Sequence, residues 1–152
     1  MADIVDQKTR SKMMSGIRGK NTKPEIVIRK ALFSKGFRYK LHDKKLPGKP
    51  DIVLPKYNSV IQINGCFWHG HNCYLFKLPA SNTEFWEAKI GRNCQIDKKT
   101  IAELKQMGWR VLTIWECAIR GRNKIGLDKV IDLTSDWIRK EGRSVHNIRG
   151  KK

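Results

Sequence analysis

The segment Gly65–Cys73 constrains the fold of this chain more than any other feature of its sequence. It reads Gly-Cys-Phe-Trp-His-Gly-His-Asn-Cys and places two thiols and two imidazoles within eight residues, directly after an apolar run typical of a strand. A tetrahedral zinc site needs four such ligands, and Cys66, His71 and Cys73 can supply three of them from one loop. The fold must then bring a fourth ligand to the end of this strand.

Cys117 is the natural fourth ligand, because it follows another predicted strand and strand ends meet loops at the rim of a sheet. Cys94 falls within a predicted helix, and we interpret it as a small buried apolar residue. Four protein ligands leave no open coordination position, so we expect a structural zinc rather than a catalytic one. His69 is then left over, either as an alternative ligand or as a surface residue.

The hydrophobic pattern predicts a mixed α/β domain. Thr22-Lys-Pro-Glu25 has the spacing of a capping box with Pro in the first turn, so a helix should begin there. Two apolar runs joined by Pro55-Lys-Tyr-Asn58 predict a hairpin in which Asp51 faces Gln62 and Ile63. The predicted elements are a helix over about 23–35, a half-buried strand over 37–41, hairpin strands over 51–54 and 59–64, a helix from Asn82 to Met107, a strand over 109–115 and a helix over 128–139.

The balance of charge predicts a polyanionic partner. Lys and Arg number 32 against 14 Asp and Glu, a net charge of +18, and a phosphate backbone is the commonest partner for such an excess. An anionic membrane surface is the second candidate partner; it would require a basic amphipathic helix, a lipidation signal or an apolar span of about 18 residues, and the sequence has no such span. The chain does not start with a secretory signal, so we expect a cytoplasmic, nucleoid-associated protein with reduced thiols. Basic residues dominate both ends, which suggests an N-terminal arm over 1–20, a core over 21–140 and a basic tail over 141–152.

The few acidic residues are the candidates for chemistry. Asp51 starts a strand beside a Pro-Gly-Lys-Pro turn, and one Mg²⁺ could contact both its carboxylate and a backbone carbonyl near Ile63. Glu25 is a capping-box residue, a further member of this site, or both. Asp97 lies on the apolar face of the long helix, where it either forms a local ion pair or orients His69 as a general base. We expect Asp51, Asp97 and Glu25 to lie together.

Several segments resemble the very-short-patch-repair (Vsr) DNA mismatch endonucleases, over about residues 2–140. The segments that carry the resemblance are Arg10-Ser-Lys-Met-Met14, Ile17-Arg-Gly-Lys-Asn-Thr-Lys-Pro-Glu25, Leu46-Pro-Gly-Lys-Pro-Asp51, Gly65-Cys-Phe-Trp-His69 and Trp115-Glu-Cys117. The resemblance implies a single domain with the PD-(D/E)xK restriction-endonuclease fold, a mixed central sheet flanked by helices. It also implies Mg²⁺-dependent nicking of one strand of double-stranded DNA, 5′ to the thymine of a T:G mispair left by deamination of 5-methylcytosine.

The resemblance also implies roles for individual residues. Asp51 and the carbonyl of Ile63 would bind Mg²⁺, His69 would activate water with Asp97 behind it, and Glu25 would assist through metal-bound water. The zinc ligands would be the four residues already named, Cys66, His71, Cys73 and Cys117. The residues implied to enter the duplex are Phe67, Trp68 and Trp86 as an aromatic wedge, with Met14 and Ile17 approaching from the other groove.

The aromatic wedge also has a physical basis, since unstacking a base step is easiest at a mispair. Core packing is the alternative role for Phe67 and Trp68, and packing on its own domain is the alternative for the first helix. One departure from the family is that Ile63-Asn64 replaces Thr-His, so Asn64 cannot donate a proton as histidine would. We expect a monomer, with a MutL-type repair protein as a further candidate partner. The rival functions are a zinc-braced DNA-binding module without catalysis and a restriction-like nuclease with no mismatch requirement.

Overall fold

A mixed five-stranded sheet with helices on both faces is the framework of the protein, seen in a computed structural model that describes residues 22–140 and 143–151. The strands of this part of the chain, in their order across the sheet, are β1 (Lys40–Leu41), β2 (Ile52–Leu54), β3 (Ser59–Asn64), β4 (Arg110–Trp115) and β5 (Val145–Ile148). The helices are α1 (Lys23–Ser34), α2 (Thr83–Gln106) and α3 (Leu127–Arg139).

The two halves of the sheet differ in strand direction. β1, β2 and β3 pair antiparallel, and the β2–β3 connection is a short 3₁₀ turn, Pro55–Tyr57, closed by Asn58 in the left-handed conformation at φ 50°. β3, β4 and β5 pair parallel. Parallel neighbours need a long crossover, which α2 provides between β3 and β4. The carboxyl ends of β3 and β4 therefore lie side by side, with Asn64 opposite Trp115.

The alternating side chains of the strands form a core on each face of the sheet. The larger core packs β-strand residues such as Ile61 and Leu112 against α1 and α3. The smaller core packs Val60 and Val111 against Leu104 of α2. Because strand side chains alternate between faces, β2, β3 and β4 each contribute to both cores, which fixes the register of these central strands.

Most predicted elements are confirmed within one or two residues. The strand predicted over 37–41 is wrong in its extent, because only Lys40–Leu41 pair with β2. Phe37 packs in the core but lies outside the strand. The sequence prediction ended the core at residue 140, whereas β5 extends the sheet into the segment treated as a basic tail. The predicted N-terminal arm, with Met14 and Ile17, lies outside the described residues. Among the described helices, none has the length and apolar character needed to cross a bilayer.

Candidate functional site

A cleft of about 640 Å³ opens at the carboxyl end of β3. It lies where the antiparallel and parallel halves of the sheet meet, so residues of α1, the β1–β2 connection, β3 and α2 all reach it. Its lining includes most of the residues that the sequence singled out: Glu25, Asp51, Ile63, Asn64, Phe67, Trp68, His69 and Asp97. The cationic side chains of Lys49, Lys89 and Arg120 line the same cleft and suit it to a phosphate backbone.

His69 and Asp97 form a pair in this cleft. His69 Nδ1 lies 2.5 Å from Asp97 Oδ2, and both side chains are about three-quarters buried, with 25% and 24% of their surface exposed. A carboxylate can only accept, so Nδ1 is the donor in this pair, and in a neutral imidazole Nε2 then offers a lone pair. The contact between His69 and Asp97, expected from the helical position of Asp97, is present, and among the described residues Asp97 forms no ion pair with Lys98 or Arg92.

Helix α2 also fixes the loop that carries His69. The Asn93 amide donates to the Trp68 carbonyl at 2.8 Å, and the Cys94 thiol donates to the His69 carbonyl at 3.2 Å. Asn93, Cys94 and Asp97 lie on one side of the helix. Their three hydrogen bonds, two to the backbone of the loop and one to the imidazole, together set the position of the His69 ring. Cys94 is half-buried and donates a hydrogen bond to this loop, so the prediction of a small buried apolar residue is wrong.

Asp51 and Glu25 lie together at the other side of the cleft. The Ile63 amide donates to Asp51 Oδ2 at 2.7 Å, which confirms the predicted pairing across the hairpin. Because the N–H and C=O of one strand residue point to the same neighbouring strand, the Ile63 carbonyl is directed to the edge where Asp51 lies. Glu25 is only 2% exposed, and its Oε2 accepts from Arg29 at 3.0 Å and faces His42 Nε2 at 2.9 Å.

The surroundings of Asp51 disfavour the ionised form of its carboxyl group. Burial raises its pKa to about 7 from an ordinary value of 3.8, the Ile63 hydrogen bond opposes the rise, and the adjacent Glu25 adds to it. A buried carboxylate pair of this kind favours a proton or a cation between its oxygens.

The expectation that Asp51, Asp97 and Glu25 lie together is wrong. Asp97 pairs with His69, whereas Glu25 and Asp51 lie with His42.

Cys66, His71, Cys73 and Cys117 meet as predicted, beyond the ends of β3 and β4. Their ligand atoms all lie within 4.8 Å of one another, and His71 Nδ1 is 3.5 Å from Cys66 Sγ and 3.6 Å from Cys117 Sγ. A tetrahedral zinc with Zn–S of about 2.3 Å and Zn–N of about 2.1 Å places sulfur and nitrogen ~3.6 Å apart. The donor set and its spacing therefore fit zinc.

The electrostatics of this cluster agree with a metal site. Burial raises the pKa of the Cys66 and Cys117 thiols, so a cation is needed to hold them as thiolates. Burial, reinforced by Arg149, lowers the pKa of His71 to about 4, which keeps the imidazole neutral at pH 7 as a ligand must be. The ring of His71 also stacks on Trp115 at 3.9 Å, which fixes its plane.

The segment after β5 packs against the same cluster. The Gly150 amide donates to Cys117 Sγ at 3.3 Å, and the Arg149 guanidinium donates to the Asn72 carbonyl at 2.7 Å. A Cβ at residue 150 would lie 2.4 Å from the Cys117 carbonyl oxygen, so the backbone approaches this closely only because the residue is glycine. This contact with the Cys66–Cys117 cluster was not predicted, since no pattern of residues in the sequence marks it.

An aromatic cluster stands beside the cleft. The ring of Phe67 lies 5.2 Å from Trp68 and 5.5 Å from Trp86, and Trp68 lies 5.8 Å from Trp86. These three side chains are half-buried and belong to neither hydrophobic core, while the adjoining Phe85 is 54% exposed. Core packing, the alternative role for Phe67 and Trp68, therefore does not describe them.

Two residues of the site were not anticipated. His42 joins Glu25 and Asp51, and Glu116 accepts from the Cys66 amide at 3.2 Å while its other oxygen accepts from Arg120 at 2.6 Å. The predicted capping-box residue Glu25 follows Thr22 at the helix N-cap, but the Thr22 side chain makes no capping hydrogen bond.

Comparisons with known proteins agree with one another. A family model described as DNA mismatch endonuclease Vsr matches residues 2–75. The chain is 46% identical to the DNA mismatch endonuclease Vsr of Escherichia coli strain K12, over 95% of this chain and 92% of that protein. It is 48% identical to the type II nicking enzyme V.NmeAIP of Neisseria meningitidis, over 80% and 87%, and 43% identical to V.XorIIP of Xanthomonas oryzae, over 78% and 88%.

Proposed function

The chain belongs to the Vsr family of DNA mismatch endonucleases and is a DNA endonuclease, and from this premise we propose the details of its reaction. It nicks one strand of double-stranded DNA 5′ to the thymine of a T:G mispair, with Mg²⁺ as the catalytic ion and zinc as a structural ion. The observation that carries the proposal is the His69–Asp97 pair, which shares one cleft with the carboxylates of Asp51 and Glu25.

His69 acts as the general base. Its Nδ1–H is held by Asp97, so Nε2 takes the proton from the attacking water and Asp97 stabilises the imidazolium that results. The contacts from Asn93 and Cys94 hold the imidazole in place while the proton moves. Asn64 lies in the same cleft and can only donate or accept hydrogen bonds there.

Asp51 and the carbonyl of Ile63 hold the catalytic Mg²⁺, and Glu25 supports this site from α1. When bound there, Mg²⁺ polarises the scissile phosphate and offsets the charge of the leaving oxygen. Three observations support this assignment: the Asp51 carboxylate is anchored by the Ile63 amide, the Ile63 carbonyl is directed to the same edge, and Glu25 lies next to Asp51.

The aromatic cluster reads the mismatch. Phe67, Trp68 and Trp86 enter the duplex beside the mispair, where unstacking costs less than in matched DNA, while Met14 and Ile17 approach from the other groove. The partial exposure of these rings, and the position of Phe67 and Trp68 in the lining of the cationic cleft, support the assignment. The excess of positive charge supplies affinity that does not depend on sequence.

We also propose a fold type, an oligomeric state, a cellular location and a partner for this protein. The fold is of the PD-(D/E)xK nuclease type, the enzyme works as a monomer, it acts in the cytoplasm on nucleoid DNA, and a MutL-type repair protein is its partner. The mixed sheet with an acidic site at the end of a hairpin supports the first of these.

A nicking assay tests the proposal directly. Duplexes labelled on either strand and carrying T:G or C:G at one position are incubated with zinc-loaded protein and Mg²⁺, with EDTA as control. We expect a single nick in the thymine strand of the T:G duplex, which Asp51→Asn and His69→Ala each abolish. Lys129→Gln, on α3 and outside the residues that line the cleft, serves as the matched control.

The outcomes separate the rival functions. Equal cutting of both duplexes would refute the mismatch requirement and favour a restriction-like nuclease. Tight DNA binding by folded, zinc-loaded protein without any cutting would refute catalysis and favour a binding module. Full activity of His69→Ala would refute its assignment as the base.

A further inference from the structure

His42 brings an imidazole into the group of ligands that holds Glu25 and Asp51. Its Nε2 lies 2.9 Å from Glu25 Oε2 and 3.8 Å from Asp51 Oδ1, and the three ligand atoms all lie within 4.8 Å of one another. The proposed Mg²⁺ ligands, Asp51 and the carbonyl of Ile63, are both oxygen donors. A nitrogen ligand changes which metal ions such a site prefers.

The register of the sheet places His42 at this position. Leu41 pairs with Ile52, so the next residue of the chain lies opposite Asp51, and the His42 amide donates to the Asp51 carbonyl at 3.3 Å. His42 has φ 48°, in the left-handed region that few residues other than glycine adopt. Backbone conformations of this kind persist where the surrounding structure requires them, and they cluster at ligand sites.

The side chains of His42, Glu25 and Asp51 are largely buried and face one another, as the ligands of a metal site do. The exposed fractions are 12% for His42, 3% for Glu25 and 24% for Asp51, so the charges face one another and not bulk water. Arg29 also donates to Glu25 Oε2, at 3.0 Å, and offsets part of the negative charge. The Ile63 amide occupies Asp51 Oδ2, which leaves Oδ1 as the oxygen on the side of His42.

The distances suit one ion with octahedral coordination. Ligand atoms at right angles around an ion, each ~2.1 Å from it, lie ~3 Å apart. The separation of His42 Nε2 from Glu25 Oε2 already matches this value, and that from Asp51 Oδ1 exceeds it by less than 1 Å. His42 would bind the ion through the lone pair of Nε2, the ring nitrogen that faces both carboxylates.

We infer that His42 is a direct nitrogen ligand of the catalytic metal ion, so that Glu25, His42 and Asp51 bind Mn²⁺ more tightly than Mg²⁺. Carboxylates serve both ions, but an imidazole is a softer ligand that Mn²⁺ accepts and Mg²⁺ disfavours. The inference rests on the proposed catalytic site, and it adds a ligand and an order of metal affinity to it.

Pulsed electron paramagnetic resonance on Mn²⁺ bound to the zinc-loaded protein tests this assignment. A directly bound imidazole couples its ¹⁴N nucleus to the Mn²⁺ electron spin. We expect this coupling in the wild type and in His69→Gln, and its loss in His42→Gln, which keeps an amide donor for Glu25. The chain has four histidines; His71 belongs to the cysteine cluster and His146 lies on β5, two strands from β3.

Titration with each metal alone gives a second measurement. His42→Gln should lower the affinity for Mn²⁺ by about 10-fold or more, and that for Mg²⁺ by less than about 3-fold. Equal losses for both ions, with the ¹⁴N coupling unchanged, would overturn the inference and leave His42 as a residue that only orients Glu25. So would the absence of ¹⁴N coupling in the wild type, or its loss in His69→Gln.

The ¹⁴N coupling and the nicking assay test the ligand role of His42 and the proposed reaction separately. The wild type and His69→Gln decide the ligand assignment even if His42→Gln does not fold. Protein that shows the His42 coupling but does not nick T:G duplexes would sustain the ligand and refute the reaction. Protein that nicks T:G duplexes with Mg²⁺ but shows no coupling would sustain the reaction and refute the ligand.

Discussion

Asp51 should make the protein without Mg²⁺ less stable as the pH rises. Burial and the neighbouring Glu25 raise the pKa of Asp51 to about 7 in the folded protein, against an ordinary value of 3.8. The folded state therefore binds the proton more tightly than the unfolded state does. Its stabilising effect is complete below about pH 4 and is lost as the pH rises through about 7.

The size of this effect follows from the two pKa values. A tenfold change in proton affinity is worth ~1.4 kcal/mol, so the full loss is about 4 kcal/mol of unfolding free energy. Roughly half of it, about 2 kcal/mol, falls between about pH 5.5 and about pH 7.5. Asp51→Asn cannot ionise at this position, so its unfolding free energy should lack this fall.

Urea unfolding followed by tryptophan fluorescence, in Mg²⁺-free buffer across this pH range, measures the difference. Asp132→Asn is the matched control, because that carboxylate on α3 is 67% exposed and should leave the wild-type slope unchanged. Parallel curves of unfolding free energy against pH for the wild type and Asp51→Asn would refute the reasoning. Added Mg²⁺ at about pH 7.5 should stabilise the wild type by ~2.7 kcal/mol at 100 times its dissociation constant, and Asp51→Asn much less.

Three further predictions concern the base, the metal cluster and the wedge. Asp97→Asn should lower the nicking rate by about 10²- to 10⁴-fold because it no longer holds His69 as a base; an unchanged rate under single-turnover conditions would contradict this. Cys73→Ala should reduce zinc content and lower the unfolding free energy by more than ~3 kcal/mol, whereas Cys94→Ser should keep its zinc; full zinc content in Cys73→Ala would count against the cluster. Trp68→Ala should weaken binding to T:G duplexes by ~1–3 kcal/mol and change binding to matched duplexes less, as measured by fluorescence anisotropy; equal losses on both would reject the wedge.

The parts of the fold that the sequence could predict are those with local signals. The capping spacing before Glu25, the turn residues Pro55–Asn58 and the helical period around Asp97 each depend on a few neighbouring residues. They gave the helices, the hairpin and the pairing of Asp51 with Ile63. The cysteine cluster was also predictable, because the ligand types of a zinc site are few and three of them share one loop.

The parts that could not be predicted depend on pairing between distant segments. β5, with the sequence Val-His-Asn-Ile in a basic stretch, carries little hydrophobic pattern, and its position comes from parallel pairing with β4. His42 stands apart from any cluster of candidate ligands in the sequence, and only the register of β1 against β2 brings it to Asp51. Gly150 is one of 12 glycines, and its contact with Cys117 is set by the course of β5.

The change from antiparallel to parallel pairing at β3 also sets the order in which the site can form during folding. The Asp51–Ile63 contact joins residues 12 positions apart and needs only the hairpin, whereas the pairs His69–Asp97 and Cys66–Cys117 span 28 and 51 positions. Distant contacts require closure of longer loops and form more slowly. We therefore expect the Asp51–Ile63 contact to form early, and the His69–Asp97 pair and the cluster of thiol ligands to form late, so the chain completes its candidate catalytic site only after the parallel half of the sheet has paired.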